Sequence, residues 1–105
     1  MPTVTMKRIT IIGDCTVQYR LVKEIREMGA TGYTCYIVSG RGDRGIRPRH
    51  AEPANVKIEV IATSELAHRI LDHVARNYFD NYAMIAYLDD VEVLRPRKFG
   101  AAENP

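Results

Sequence analysis

Two strand–helix–strand patterns follow one another in this chain, held apart by a long connector rich in glycine and arginine. That order constrains the fold more than any other feature does. Val4 to Ile12 is rich in β-branched residues and ends at Gly13-Asp14, which predicts a strand closed by a turn. From Thr16 to Met28 the apolar residues Val17, Leu21, Val22, Ile25 and Met28 recur at helical spacing. Arg20–Glu24 and Lys23–Glu27 form i,i+4 pairs on the opposite side. Gly29 suits the left-handed position just past a helix end, and Tyr33 to Val38 reads as the second strand.

The second half repeats the order. Val56 to Ile61 alternates before turning wholly apolar, as a half-buried strand does. Ser64 is the expected N-cap of a helix running to about Tyr78. Leu66, Ile70, Val74 and Tyr78 form its stripe, widened by Ala67, Leu71 and Ala75; His68, Asp72, His73 and Arg76 are expected to face away. Tyr82 to Leu88 is the fourth strand, Asp89-Asp90 a turn, and Val91 to Leu94 a short extension. Residues 1–98 then make one domain, and the tail 99–105 has little to bury.

Two such halves close into a four-stranded antiparallel sheet with both helices on one face, a ferredoxin-like βαββαβ arrangement of the α+β class. A chain of 105 residues builds one core of this kind and not two. The second sheet face is then bare, although the strands are apolar on both sides at Ile11 with Ile12, Val60 with Ile61, and Tyr87 with Leu88. Such a face implies a partner, most simply identical subunits in cyclic association.

The connector, about residues 40–55, far exceeds the roughly two to five residues that a hairpin needs. Its Arg41, Arg44, Arg47 and Arg49 outnumber Asp43 and Glu52, and guanidinium forks match phosphate or carboxylate oxygens. Gly40, Gly42 and Gly45 permit positive φ and close approach to a ligand. Charge is otherwise balanced: the formal net charge is +2, and without the connector the remainder is nearly neutral. A local anion site fits this better than a nucleic-acid surface. Tyr78, Tyr82 and Tyr87 come without the aromatic-glycine motif of RNA-binding sheets, so no nucleic acid is expected. Cys15 and Cys35 are too few and too far apart for a zinc site or a disulfide framework, and read as small buried hydrophobes. His68 and His73, five residues apart, do not make a metal pair, and no metal site is expected. The absence of a signal-peptide pattern and of a long apolar run points to the cytoplasm.

Four blocks in order carry a family resemblance. Gly29-Ala-Thr-Gly-Tyr-Thr34 leading into Val38-Ser-Gly-Arg-Gly-Asp-Arg44 resembles the approach to the T-loop of PII signalling proteins. Val56-Lys-Ile-Glu-Val-Ile61 resembles the strand that leaves that loop. Tyr78-Phe-Asp-Asn-Tyr-Ala83, with Ile85 and Tyr87, is similar to the PII-like carbon-sensing subgroup, which includes SbtB and the carboxysome-associated PII proteins. Glu92-Val-Leu94 and Arg95-x-Arg97 continue the match, so it covers nearly the whole chain.

The resemblance implies a homotrimer that binds adenine nucleotides in clefts between neighbours, and a T-loop that moves with ligand and docks on a partner protein. By position, Gly40 and Gly42 would line the loop base, and Arg44 would reach phosphates. Asn81, Tyr82 and Ala83 would wrap the phosphates, and Val60 and Ile61 would frame adenine through their backbone. Gly32 and Thr34 of the adjacent subunit, with Arg95 and Arg97, would complete the cleft. The ligands implied are ADP or AMP, with ATP and cyclic AMP as further candidates, and bicarbonate held by Arg44 and Arg47. A bicarbonate transporter or a carboxysome component is the implied partner.

Departures from the family pattern sharpen these expectations. The Gly-Asp-Gly-Lys segment of true PII proteins aligns with Asn81-Tyr82-Ala83-Met84, so the lysine aimed at the outer phosphate is lost and preference for ATP should weaken. The glutamine and lysine serving 2-oxoglutarate and metal align with Arg44 and Asn55, which speaks against a 2-oxoglutarate response. No Ser, Thr or Tyr lies between Gly40 and Asn55, so ligand occupancy and not hydroxyl modification is the expected switch. The leading expectation is a non-enzymatic sensor without catalytic residues. The rivals are a small ferredoxin-like hydrolase of phosphate esters or acyl phosphates, and a structural or metal-tolerance trimer. The hydrolase would use Arg44 to hold the anion and Asn55 or Asn81 to position water.

Overall fold

A computed structural model describes residues 2–40 and 54–100. Six elements follow in the expected order: β1 (Val4–Asp14), α1 (Gln18–Glu27), β2 (Thr34–Val38), β3 (Asn55–Ala62), α2 (Ser64–Tyr78) and β4 (Ile85–Val93). The sheet order is β2-β3-β1-β4, and every neighbouring pair is antiparallel. This is the ferredoxin-like arrangement.

Register decides which residues meet the helices. Ile9 pairs with Val60 and Leu88, and Ile11 pairs with Ile58 and Ala86, so these residues share one face. There they pack with Val17, Leu21 and Ile25 of the first helical region, and with Ala67, Ile70, Val74 and Tyr78 of α2. The apolar stripes expected from spacing thus form the core, except that Ala75 is exposed. Cys15 and Cys35 are half-buried free thiols packed against it, and burial pushes the Cys35 thiol up.

Helix ends follow local chemistry. At the end of α1, Gly29 has φ 120°; its N–H donates to the Arg26 carbonyl (3.0 Å), while the Ala30 N–H donates to the Ile25 carbonyl (3.2 Å). That is a Schellman closure, with Ala30 and Ile25 both buried beneath it. Ser64 is not the cap of α2. Thr63 is: it has extended backbone, and its hydroxyl accepts from the Leu66 N–H at 3.3 Å.

Three strand expectations need correction. β1 runs through Gly13-Asp14, because both residues keep cross-strand partners in Val56 and Asn55. The chain then enters a 3-10 turn, Cys15–Val17, where the Asp14 carboxylate accepts from the Thr16 N–H at 2.9 Å. β4 starts at Ile85 and not Tyr82, and Asp89-Asp90 lie inside it. They do not turn because β1 presents Arg8 and Lys7 directly opposite, and each carboxylate pairs with its cross-strand base. Arg8 grips Asp89 with two parallel bonds of 3.1 and 2.7 Å, which hold that carboxyl below its ordinary range against the opposing effect of burial. At the far end, a 3-10 turn covers Pro96–Phe99; residues 101–105 of the expected tail lie outside the described residues.

The face away from the helices is mixed and not simply apolar. It carries Ile12, Ile61 and Ile85 beside Arg8, Thr10, Tyr36, Lys57, Glu59, Tyr87 and Asp89. Ile85 is 57% exposed and Tyr87 44%. Tyr36 donates to Glu59 at 2.8 Å, and the Lys57 ammonium lies 5.4 Å from the Tyr36 ring centre.

Candidate functional site

The strand register sorts the predicted site residues to two ends of the sheet. One end is formed by Gly13 and Asp14 of β1, Val38 of β2, Asn55 of β3 and Ile85 of β4. Gly40 follows β2 here, and Asn81, Tyr82 and Ala83 precede β4. Gly42, Arg44 and Arg47 lie outside the described residues. Gly40 does not have a positive φ, and a Cβ there would meet nothing within 4 Å. Among the described residues, nothing therefore demands glycine at that position.

The segment before β4 is fixed at both ends. Its first end hangs from the Tyr78 carbonyl, which accepts from the Asn81 N–H (3.1 Å) and the Tyr82 N–H (3.0 Å). Its last residue, Met84, packs across Gly13, where a Cβ would sit 2.9 Å from both Cβ and Cε of Met84. Gly13 is thus required by close approach, and the position aligned with the PII lysine is taken up by packing.

Gly32, Thr34, Val60 and Ile61 lie together near the other end. Thr34 pairs with Glu59, and there the β2 ladder stops. Val60, Ile61 and Ala62 continue along β1 without a β2 partner. Their peptide groups on that side form a short edge that a planar base can use for hydrogen bonds. Val60 is buried on the helix face and Ile61 half-buried on the open face, so only their backbone suits the role expected of them. Gly32, like Gly40, has open space around a would-be Cβ. Val60 is opposite Ile9, four residues from Gly13, which puts the free edge about 13 Å from the Met84 end.

Arg95 and Arg97 follow the end of β4. Arg95 has φ 56°, a left-handed conformation uncommon for a residue with a Cβ, and Pro96 opens the 3-10 turn behind it. The length of β4 separates these arginines from Asn81–Ala83 by about 25 Å. One subunit does not bring the two groups together.

Sequence reasoning missed a polar cluster where α1 meets α2. Glu24 Oε1 accepts from the Tyr78 phenol (2.6 Å) and lies 2.8 Å from His73 Nε2, and Oε2 accepts from Arg20 Nε (3.2 Å). The Arg20 guanidinium stands 4.9 Å from the Tyr78 ring centre. His73 therefore does not face away; it is half-buried, with Asn77 Nδ2 at 3.2 Å from Nδ1. Burial pushes the Glu24 carboxyl up, but bonds from Tyr78, His73 and Arg20 outweigh it and hold the group below its ordinary value. Burial, and then the bond to Glu24, push the Tyr78 phenol well up. The signal available in sequence was the i,i+4 pair Arg20–Glu24; the partners on α2 appear only once the helices are packed. Among the described residues, no group of three or more His, Cys, Asp or Glu is arranged to hold a metal ion, and no helix is long and apolar enough to cross a membrane.

Residues 6–98 match the family of nitrogen regulatory protein P-II. The chain belongs to the PII family. A PII-like signalling protein from Thermus thermophilus is 40% identical, with 94% of this chain and 99% of that one covered and a TM-score of 0.82. The CPII protein of Thiomonas intermedia bound to ADP and bicarbonate is 24% identical, with 93% and 97% covered and a TM-score of 0.82. A second CPII structure, bound to ADP, AMP and acetate, is 22% identical with the same TM-score, over 94% and 98% of the two chains. At those identities CPII speaks for the shared fold. The chain is a PII-like signalling protein, and its long β2–β3 connection, which includes residues 41–53, is the T-loop position of that fold.

Proposed function

We propose that this PII-like protein is a non-enzymatic cytoplasmic sensor of adenine nucleotides, acting as a homotrimer with one site in each cleft between subunits. The observation that carries this is the division of candidate residues between sheet ends. Arg95 and Arg97 stand about 25 Å from Asn81–Ala83 of the same chain, so they serve phosphates only across a subunit boundary. The mixed open face, with Ile85 and Tyr87 exposed, is the surface that subunits bury. The free edge at Val60–Ala62 takes the base, joined by Gly32 and Thr34 of the adjacent subunit. Asn81, Tyr82 and Ala83 meet the phosphates, together with Gly40, Gly42 and Arg44 of the T-loop base.

Met84 leaves the outermost phosphate without a lysine, so ADP and AMP bind in preference to ATP, with cyclic AMP as a further ligand. Bicarbonate is the second ligand, held by Arg44 and Arg47. CPII, of the same fold, has been solved with ADP, AMP and bicarbonate, which supports this ligand set. Ligand orders the T-loop, and the ordered loop controls a partner in inorganic-carbon metabolism, a bicarbonate transporter or a carboxysome component. On this reading the protein falls in the carbon-sensing subgroup with SbtB and the carboxysome-associated PII proteins.

Calorimetric titration with AMP, ADP, ATP and cyclic AMP, each with and without bicarbonate, tests the reading. ADP and AMP should bind, and bicarbonate should tighten or accompany them. Absence of binding by every adenine nucleotide would sink the proposal, and phosphate release with turnover would replace it with a hydrolase.

A further inference from the structure

We infer that Glu24, on the first helix, positions the Asn81–Met84 segment through Tyr78 and thereby sets nucleotide affinity. The inference rests on the proposed reading of that segment as phosphate-binding. Tyr78 is fully buried at the end of α2, and its phenol donates to Glu24 Oε1 at 2.6 Å. Arg20 covers its ring at 4.9 Å, and the Tyr82 ring lies 5.7 Å away. The side chain is therefore gripped at its hydroxyl and along its ring, while its carbonyl carries the N–H groups of Asn81 and Tyr82. A tilt of Tyr78 that carries its backbone with it displaces both.

The opposite end of the segment has no slack to absorb such a tilt, because Met84 already lies against Gly13 at a separation that leaves no room for a Cβ. The segment is thus suspended between the Tyr78 carbonyl and Gly13. Ligand-binding groups must be held to within about half an ångström to act together. A core serving stability alone needs no half-buried carboxylate here, since such a group is costly unless every donor around it is placed. The charged and titratable groups facing Glu24 are Arg20 on its own helix and His73 and Tyr78 on α2, with Tyr82 beyond Tyr78. Of these, Tyr78 leads into the segment, through its carbonyl and through the ring of Tyr82.

The test compares wild type with Tyr78→Phe, Glu24→Ala and Glu24→Gln, by ADP titration and by amide resonances of Asn81 and Tyr82 in nucleotide-free protein. Tyr78→Phe keeps the ring and removes only the hydroxyl. It and Glu24→Ala should weaken ADP binding about tenfold and shift both amides, a size expected of coupling through a packed network. Glu24→Gln retains an acceptor for the phenol and should recover part of both losses. A lower melting temperature with unchanged ADP affinity and unmoved amides would overturn the inference and leave a purely structural cluster. If wild type binds no ADP, the nucleotide reading itself fails; unmoved amides would then still refute the tether, and shifted amides would uphold it.

Discussion

The two faces of the sheet are built on opposite principles. Toward the helices, Ile9, Ile11, Val56, Ile58, Val60 and Ala62 are buried by partners from the same chain, and the face is complete within one subunit. Toward the outside, register alternates isoleucine with ion pairs and tyrosines, and Ile85 remains 57% exposed. The lesson is that burial specifies the subunit, whereas polar placement on the open face specifies how another body can lie on it. Apolar area alone attracts without orienting; the Tyr36–Glu59 bond and the Arg8–Asp89 fork add direction.

The largest contrast should come from matched truncations. Ile58→Ala on the helix face should cost about 2–5 kcal/mol in urea unfolding. Ile85→Ala on the open face should leave subunit unfolding nearly unchanged and instead shift the mass seen in sedimentation velocity toward monomer. Equal destabilisation by both would break the distinction between the faces. Gly13→Ala comes next, since its Cβ would collide with Met84; about 1–3 kcal/mol is expected, with altered resonances confined first to residues 81–84.

A smaller, pH-dependent effect should distinguish the inter-helix cluster from both faces. The Glu24 carboxyl is held below its ordinary value when folded, so its contribution is fully present above the ordinary carboxylate range. It is lost as pH falls through the lowered folded value. Urea midpoints measured between neutral and acidic pH should therefore fall less steeply in Glu24→Gln than in wild type. An identical slope would remove Glu24 from the acid response. Smallest of all, Arg8→Ala should leave the unfolding midpoint of the subunit unmoved, because the Arg8–Asp89 pair is exposed to solvent. Its effect belongs to association, read from the salt dependence of the oligomer.

Periodicity made the fold legible. Helical spacing identified Leu21 and Ile25, and alternation identified Val56 and Ile58, because a period of about 3.6 or 2 is a direct image of which side is buried. The ends were less legible, since they depend on neighbours. Gly13-Asp14 looks like a turn in isolation, yet β3 offers it two more partners. Asp89-Asp90 looks like a turn until Arg8 and Lys7 stand opposite. Within the candidate site, the glycines and the Asn81–Ala83 segment were proposed from motif order alone. That the arginines lie at the far end of β4 could not be, because chain distance says nothing about which subunit a group serves. The Glu24–His73–Tyr78 cluster was invisible for the same reason: its members on the two helices are far apart in the chain and meet only across packed helices.

By itself, then, the sequence determined the alternation of strands and helices, their apolar faces and the position of the long basic connection, all of which are local consequences of side-chain spacing. Tertiary structure alone decided the cross-strand ion pairs, the free edge at Val60–Ala62, the Met84–Gly13 contact and the placing of a half-buried carboxylate between the helices. Each of these is a relation between residues far apart in the chain, and register and packing, which fix such relations, come into being only when the sheet and helices close on one another.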